Sequence, residues 1–372
     1  MNETYQIVII GGGLAGAATA YHLTCAGVKD ILVLEQEDSA GFHASGRSAG
    51  LVHRISPDHT MTPLLREGTD FIRHLRSLWP IPVVFHEVGS LALASGKMWE
   101  GFRALADRGV GHETHLICLT PEEAVKKVPV LEGCKFDGAL WCPQDGVVDV
   151  KALLKGYLTM AKMKGAKVMT TAKVLGIETK NNFITGVVTA SQTIKTMIVV
   201  NAAGAWAGEI GQMAKAVKVP LVSYRRHIFT TDPIPWVSSD WPPVWDFTDQ
   251  VYFRPESGGL LLSPCDADEH PPGDPAVEPA ASVAVCLLKE KLARYPKLSD
   301  LPIKNCWAGL RTDSKDGRFV IGWDPTIHGF FWVAGLAGYG VSASSAVGRL
   351  ATDLIGGKEG CNAMSVSPER FV

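Results

Sequence analysis

A short apolar segment that ends abruptly in glycine constrains the fold of this chain more than any other feature. Residues 7–10 are all apolar, and the motif Gly11-x-Gly13-x-x-Gly16 follows them directly. Such a run predicts a parallel strand that is buried on both faces. The segment from Leu14 to Ala26, rich in alanine and leucine, predicts a helix, and residues 31–34 predict a second buried strand. The chain therefore opens with a βαβ unit.

The glycine spacing indicates what this unit binds. Gly11 permits a tight turn, Gly13 lets backbone N–H groups approach a pyrophosphate, and Gly16 allows the helix and strand to pack closely. The N-terminus of the helix supplies an anion site. Glu35 closes the second strand 24 residues after Gly11, where it can accept hydrogen bonds from ribose hydroxyls. These residues predict a dinucleotide site, and they do not separate FAD from NAD.

A polar, glycine-rich segment, Ser39 to Gly50, follows the acidic strand. Its hydroxyl groups and free backbone N–H groups suit phosphates and the edge of a flavin ring. The same composition is also typical of a solvated surface loop. Both interpretations stay open on composition alone.

Composition excludes several classes of function. The formal net charge of −2 shows no basic excess, so nucleic acid is not an expected partner. Eight cysteines occur singly without a C-x-x-C pair, which predicts no zinc site and suits a reducing cytosol. No apolar stretch approaches the roughly 18 residues of a membrane span, and no secretory signal is expected.

Two later segments repeat the pattern of a strand followed by glycine, so the dinucleotide fold is expected to be discontinuous. Residues 198–200 run into Asn201 to Trp206, and residues 329–334 precede a predicted helix from Val341 to Ile355. Alternation of β-branched and aromatic residues in 82–94 and 223–262 predicts an inserted antiparallel sheet. The expected fold class is α/β, or α+β overall. The expected limits are 1–80, 145–215 and 305–372 for the dinucleotide domain, and 81–144 and 216–304 for the substrate domain.

Several ordered motifs resemble the D-amino-acid oxidase superfamily over nearly the whole chain. They are the N-terminal glycine motif, the loop from Gly41 to Gly50, Asn201 to Trp206, Trp307 to Arg311, Gly329 to Trp332 and Gly338 to Gly340. Within the superfamily, the chain most resembles bacterial D-amino-acid dehydrogenases of the D-arginine type. The resemblance implies a Rossmann-like FAD-binding domain with an inserted antiparallel-sheet substrate domain. It also implies FAD as the cofactor, held non-covalently.

The resemblance implies a set of FAD contacts along the chain. Residues matching Ala44, Ser45, Ala49, Gly50 and Leu51 contact the FAD phosphates and ring in the relatives. The backbone of Val174 matches the adenine contact, and Gly309 with residues 338–342 matches the region at the pyrimidine side of the flavin. The full set of expected cofactor residues is Gly11, Gly13, Leu14, Ala15, Gly16, Glu35, Gln36, Ala44, Ser45, Arg47, Ser48, Ala49, Gly50, Leu51, Val174, Ala203, Gly204, Trp206, Gly309, Gly338, Tyr339, Gly340, Val341 and Ser342.

The same resemblance implies a site for the substrate carboxylate. Arg226 and Arg311 match the arginine pair that clamps the carboxylate, and guanidinium is the planar, bidentate partner that a carboxylate requires. Tyr252 matches a tyrosine whose hydroxyl completes the site. Backbone carbonyls near Ala337 are expected to orient the reacting carbon. Ser90 stands where the arginine-using relative has a glutamate, so a neutral or apolar side chain is expected on the substrate.

The expected reaction is hydride transfer from a D-amino acid to flavin, followed by hydrolysis of the imino acid to a 2-oxo acid and ammonia. The alternatives on the same scaffold are a secondary-amine oxidoreductase, acting on sarcosine, glycine, proline derivatives or opines, and an L-2-hydroxy acid dehydrogenase. Oxygen, or a quinone or another electron carrier, is the expected acceptor. A cytoplasmic location is expected, peripheral to the membrane if a quinone is used. Gly309 matches the cysteine that attaches flavin in sarcosine oxidases, and Cys306 lies three residues earlier.

Overall fold

The structure is a computed structural model that describes residues 3–56, 58–107, 115–273, 280–358 and 363–372. Its strands are β1 (Ile7–Ile10), β2 (Ile31–Leu34), β3 (Leu51–Val52), β4 (Phe85–His86), β5 (Ser90–Ala94), β6 (Ile117–Leu119), β7 (Gly138–Cys142), β8 (Gly146–Val148), β9 (Lys167–Met169), β10 (Val174–Lys180), β11 (Phe183–Thr189), β12 (Thr193–Lys195), β13 (Ile198–Asn201), β14 (Leu221–Thr230), β15 (Val244–Asp246), β16 (Val251–Glu256), β17 (Gly259–Ser263), β18 (Asp268–Glu269), β19 (Asn305–Ser314), β20 (Val320–Trp323) and β21 (Phe330–Ala334). Its α-helices are α1 (Leu14–Cys25), α2 (Thr62–Leu78), α3 (Lys97–Asp107), α4 (Pro121–Lys127), α5 (Val150–Met163), α6 (Ala207–Ala214), α7 (Ala280–Leu292), α8 (Ser344–Ile355) and α9 (Ala363–Val366).

A six-stranded sheet in the order β20-β21-β13-β1-β2-β9 forms the first layer. Its central strands run parallel, and β20 pairs antiparallel with β21 at one edge. All four residues of β1 and of β2 are buried, as the apolar runs predict for strands that are covered on both faces. The predicted βαβ unit is confirmed, with β1, α1 and β2 in the expected places.

Helices α1, α5 and α8 cover one face of this sheet. Gly348 on α8 brings that helix against the backbone of Ala18, where an added Cβ would lie 2.6 Å from the Ala18 carbonyl carbon. Tyr21, Trp79 and Tyr157 pack together in the core between the helices and the sheet. Burying each such side chain contributes on the order of 2–3 kcal/mol. The opposite face packs against α6 and the small sheet β10-β11-β12.

A second, larger sheet contains β18, β14, β17, β16, β15, β5, β7 and β6 in that order, with β19 paired to β14. Strands β14 and β19 are antiparallel and in register over ten residue pairs. The other pairs are antiparallel, except that β5 runs parallel to β15. Helices α4 and α7 cover its outer face. The predicted fold class, a Rossmann-like domain with an inserted, mainly antiparallel sheet domain, is confirmed.

Three local predictions differ from the structure. The helix predicted from Val341 begins at Ser344, because residues 336–343 form turns that place backbone groups against the sheet. Within 82–94, only Ser90–Ala94 joins the large sheet, whereas Phe85–His86 pairs with β8 in a separate three-stranded sheet. Strand β19, inside the predicted dinucleotide segment 305–372, hydrogen-bonds to β14 of the large sheet. The domain limits themselves stay a prediction.

Within the described residues, no helix combines the length and the apolar composition needed to cross a membrane.

Candidate functional site

A cavity of about 610 Å³ lies between the carboxyl ends of the parallel strands and the inner face of the larger sheet. Most of the residues singled out from the sequence line it. They are Gly11, Gly13, Leu14, Ala15, Glu35, Gln36, Ala44, Ser45, Arg47, Ser48, Ala49, Leu51, Val174, Ala203, Gly204, Trp206, Arg226, Tyr252, Gly309, Arg311, Ala337, Gly338, Tyr339, Gly340 and Val341. Segments far apart in the sequence therefore converge on one site.

The glycine motif forms the turn that its spacing predicts. Gly11 has a φ of 112°, a conformation that favours glycine. Gly16 does not line the cavity, because it packs under the turn, where an added Cβ would overlap the carbonyl oxygen of Gly11. Gly13 is the N-cap of α1, and the first turn of the helix has neither a side-chain cap nor an acidic residue. Apart from the Leu14 N–H, which donates to Ser45 Oγ, the N-terminus of α1 is thus left for an external anion.

Glu35 is held rigidly beside this turn. It is buried, and its Oε2 accepts a hydrogen bond of 3.0 Å from the Gly12 backbone N–H. Its Oε1 accepts a second bond of 3.0 Å from the N–H of Glu37. A carboxylate oxygen has capacity for further donors, so a ribose hydroxyl can bind here without displacing either contact.

The loop from Ser39 to Gly50 is anchored to both layers. Ser45 Oγ accepts a hydrogen bond of 3.0 Å from the Leu14 N–H at the start of α1. Arg47 Nη1 donates to the Ala308 carbonyl at 3.1 Å, and the Arg47 carbonyl accepts from Trp307 Nε1 at 3.1 Å. The segment therefore forms one wall of the cavity, while Ser39, Phe42, Ala44 and Gly46 within it are exposed.

These features fit FAD. The uncapped helix terminus suits the pyrophosphate, Glu35 suits the adenosine ribose, and the tight turn leaves room for backbone contact. Gly309 faces Arg47, since an added Cβ would lie 3.4 Å from the Arg47 Cβ. Cys306 is exposed and is not among the described residues that line the cavity.

Arg226 and Arg311 lie on neighbouring strands and on the same face of the sheet. Arg226 pairs with Gly309, and Arg311 pairs with Tyr224, so the two arginines are diagonal neighbours in the β14–β19 ladder. Such neighbours are within reach of each other's long side chains. Arg226 Nε donates to the Asp266 carbonyl at 2.6 Å, while its buried Nη1 has no hydrogen-bond partner among the described residues. A buried guanidinium nitrogen without a partner favours an anionic ligand.

The electrostatics of this pair support the same conclusion. Burial lowers the pKa of Arg311, and the nearby charge of Arg226 lowers it further. Tyr252 on β16 is buried; its burial raises the pKa of its hydroxyl, and the two arginines oppose that rise. Two like charges held together in a poorly solvated place are stabilised by an anion between them.

Three predicted site residues besides Gly16 do not line the cavity. Gly50 lies behind it, with its carbonyl accepting from the Val148 N–H at 2.9 Å. Ser342 is buried, and its Oγ accepts a hydrogen bond of 2.8 Å from the His53 N–H. The third, Ser90, is not among the described residues that line the cavity, and its Oγ donates to Asp145 Oδ2 at 2.7 Å. The prediction that Ser90 lies in the substrate pocket is therefore corrected: Ser90 supports the buried Asp145 outside the cavity lining.

Among the cavity-lining residues that sequence reasoning missed, three carry polar or aromatic groups near the arginine pair or Tyr252: Asp313, His53 and Trp245. Asp313 follows Arg311 by two positions on β19, so the period of two in a strand places both side chains on one face. Burial raises the pKa of Asp313, and its buried Oδ1 has no partner among the described residues. His53 and Trp245 also line the cavity, with ring centroids 6.0 Å apart. Only Asp313 had a signal in the sequence, namely its spacing from Arg311.

The described residues contain no group of three or more His, Cys, Asp or Glu side chains arranged to hold a metal ion.

The sequence of this chain is similar to those of several known flavin enzymes and their relatives. The chain is 27% identical to human mitochondrial dimethylglycine dehydrogenase, over 98% of this chain and 44% of that protein. It is also 27% identical to 4-methylaminobutanoate oxidase (formaldehyde-forming) of Paenarthrobacter nicotinovorans, over 98% of this chain and 45% of that protein. The chain thus spans less than half the length of these relatives.

A solved structure of L-proline dehydrogenase from P. horikoshii matches with a TM-score of 0.89 and 26% identity, covering 100% of this chain and 98% of that one. The sequence profile of the family described as FAD dependent oxidoreductase matches residues 6–354. This match includes the glycine turn, the loop wall and both arginine strands. The chain belongs to the FAD-dependent oxidoreductase family, whose cofactor is FAD.

Proposed function

We propose that this protein oxidises the carbon next to the nitrogen of a small N-substituted amino acid, preferentially one with a secondary amine. The observation that carries the proposal is the arginine pair beside Tyr252. Arg226 and Arg311 share one face of the sheet, within the same cavity as the dinucleotide turn. Two guanidinium groups and a phenol match the carboxylate that every amino acid carries.

The nature of the nitrogen is inferred from the relatives. Dimethylglycine, 4-methylaminobutanoate and L-proline, which give these relatives their names, all carry a carboxylate and an alkylated nitrogen. This pattern favours an N-substituted amino acid over the D-amino acid with a primary amine that motif resemblance alone suggests. Because Ser90 does not line the cavity, it no longer supports the expectation of a neutral side chain on the substrate.

The contribution of the protein to such a reaction is orientation. FAD, when bound, supplies a two-electron acceptor for the hydride. Arg226 and Arg311 would hold the carboxylate, and Tyr252 would donate a hydrogen bond to it. These contacts would hold the reacting carbon at a fixed distance from Gly309 and Gly338, the cavity residues expected beside the flavin ring. Holding two reactants in a productive geometry supplies a large part of the rate enhancement in reactions of this kind.

The test is anaerobic mixing of the purified flavoprotein with a panel of candidate donors while the visible flavin absorbance is recorded. The panel contains sarcosine, N,N-dimethylglycine, both proline enantiomers, an opine, glycine, neutral D-amino acids and L-2-hydroxy acids. Bleaching by the N-substituted amino acids and not by their primary-amine counterparts supports the proposal. Bleaching only by D-amino acids or only by hydroxy acids contradicts it. Repeating the reaction in air shows whether oxygen accepts the electrons.

An Arg311→Lys variant makes the test specific to the carboxylate. Lysine keeps the positive charge but loses the planar, bidentate geometry. The variant should require much more carboxylate substrate for the same rate of bleaching. Arg225→Lys is the matched control, because Arg225 lies next to Arg226 on β14 but pairs with the exposed Asp268 at 3.1 Å.

A further inference from the structure

A buried carboxylate, Asp266, lies directly behind the arginine pair. Its backbone carbonyl accepts the 2.6 Å hydrogen bond from Arg226 Nε. This is the contact that fixes the direction of the Arg226 guanidinium, since Nη1 has no partner among the described residues. The position of the Asp266 carbonyl therefore decides where Arg226 presents its free nitrogen atoms.

His227 fixes the side chain of Asp266 from the neighbouring position on β14. The His227 N–H donates to Asp266 Oδ1 at 2.9 Å, and His227 Nδ1 lies 2.7 Å from Asp266 Oδ2. Both residues are buried, with exposed fractions of 1% and 8%. Burial alone would raise the pKa of Asp266, but the hydrogen bonds from His227 hold it below its ordinary value. The carboxylate is thus charged, and it is held at both oxygens.

The chain that leads into Asp266 is fixed at three further points. Ser263 Oγ donates to the His227 carbonyl at 2.7 Å and accepts from the Cys265 N–H at 3.3 Å. Lys291 Nζ donates to the Pro264 carbonyl at 2.6 Å. Cys265 has a φ of 52°, a left-handed conformation that a non-glycine residue adopts only when its surroundings enforce it. The turn is therefore built to hold one backbone position.

We infer that the Asp266–His227 pair is a positioning device for Arg226, which sets the affinity of the site for carboxylate substrates without touching the substrate. Arg226 and His227 are adjacent on β14 and point to opposite faces of the sheet. The described residues that line the cavity include Arg226 and include neither His227 nor Asp266. The inference rests on the proposed role of Arg226 in binding a carboxylate.

The first test measures ligand binding rather than turnover. Benzoate, a carboxylate without an oxidisable amine, is titrated into the FAD-loaded protein while the change in flavin absorbance is followed. Asp266→Ala should weaken benzoate binding about tenfold, because the loss of one hydrogen bond from the misplaced Arg226 to the charged ligand outweighs the removal of a nearby negative charge. Asp268→Ala, which removes an exposed carboxylate two residues away, should leave binding unchanged. Benzamide, which has no charge, should bind equally to all three proteins.

A double-mutant cycle shows whether Asp266 acts through Arg226. In an Arg226→Ala background, Asp266→Ala should change benzoate affinity less than twofold, because the group that it positions is gone. Equal losses in both backgrounds would overturn the inference. So would a loss of benzamide binding that matches the loss of benzoate binding.

His227 variants guard against a simple folding defect. His227→Asn retains a donor near the Nδ1 position and should keep benzoate affinity within about threefold of the wild type, whereas His227→Ala should lose about tenfold. With the best donor from the panel, the half-saturating concentration should rise slightly for His227→Asn and more for His227→Ala. The limiting rate of flavin reduction should stay nearly constant in both variants. Equal behaviour of the two variants would overturn the inference. If no donor reduces the wild type, the proposed function fails, while the benzoate experiments still decide this inference.

Discussion

Gly338 lies directly against the guanidinium of Arg311. A Cβ built at Gly338 would lie 2.6 Å from Arg311 Cζ and would overlap Nη2, so no side chain fits there unless Arg311 moves. The three nearest atoms all belong to the flexible side chain of Arg311, and Gly338 does not have a positive φ. The absence of a side chain at Gly338 therefore allows Arg311 to keep its position, and the fold itself does not depend on it.

Gly338→Ala should consequently impair substrate binding and leave stability nearly unchanged. We expect the half-saturating concentration of a carboxylate substrate to rise at least tenfold, because displacement of Arg311 breaks a charge-assisted contact. Flavin content and the urea midpoint should stay close to those of the wild type. Gly208→Ala is the matched control, since a Cβ at Gly208 would meet nothing within 4 Å and Gly208 does not line the cavity. Equal kinetics for the two variants would contradict this role of Gly338.

Asp313 places a negative charge beside the arginine pair and should oppose carboxylate binding. Asp313→Asn keeps the shape of the side chain and removes the charge. We expect the variant to bind benzoate roughly threefold to tenfold more tightly near neutral pH. Because burial raises the pKa of Asp313, benzoate affinity of the wild type should increase as the pH falls and this carboxylate is protonated. Binding to the variant should lack that increase. Weaker binding to Asp313→Asn at pH 7 would contradict the assignment.

Local patterns in the sequence predict the first layer of the fold well. The limits of β1 and β2 match the apolar runs because each strand is buried on both faces and is bounded by glycine or polar residues. The glycine turn and Glu35 were also predicted, since their roles depend on neighbours within one βαβ unit. In these segments the information is contained in about thirty consecutive residues.

The arrangement of the second layer could not be read from periodicity. Arg226 and Arg311 are 85 positions apart, and only the register between β14 and β19 places them on one face. Motif resemblance indicated the pair, but not its support by Asp266. Ser90 illustrates the opposite outcome. Four of the five residues of β5 are buried, so no alternation of polar and apolar residues indicates which way its side chain points.

Ser90→Ala tests the corrected place of this residue. Ser90 Oγ donates to the buried Asp145 Oδ2 at 2.7 Å, so alanine removes one hydrogen bond to a carboxylate and lowers the free energy of unfolding by about 1–3 kcal/mol. The relative rates with different side chains on the substrate should not change. Urea unfolding and the donor panel measure the two effects separately. Altered substrate preference with unchanged stability would show that Ser90 contacts the substrate after all.

His22 makes the stability of the first layer depend on pH. Burial lowers the pKa of its imidazole to about 4, and the charge of Arg349 contributes to the lowering; Nε2 lies 3.0 Å from Ser345 Oγ. In the unfolded chain the histidine takes up a proton near pH 6.5. Stability is therefore fully present above that pH and is lost as the pH falls toward the folded pKa, by about 2 kcal/mol at pH 5.

His22→Gln should remove this dependence, because glutamine can still reach Ser345 and does not ionise. Between pH 7 and pH 5, the free energy of unfolding should fall by about 2 kcal/mol more for the wild type than for the variant. Urea titrations at half-unit pH steps measure the difference. The exposed His74 lies on α2, and His74→Gln controls for the loss of an imidazole elsewhere. Parallel curves for the wild type and His22→Gln would show that His22 is already free to take up a proton in the folded protein.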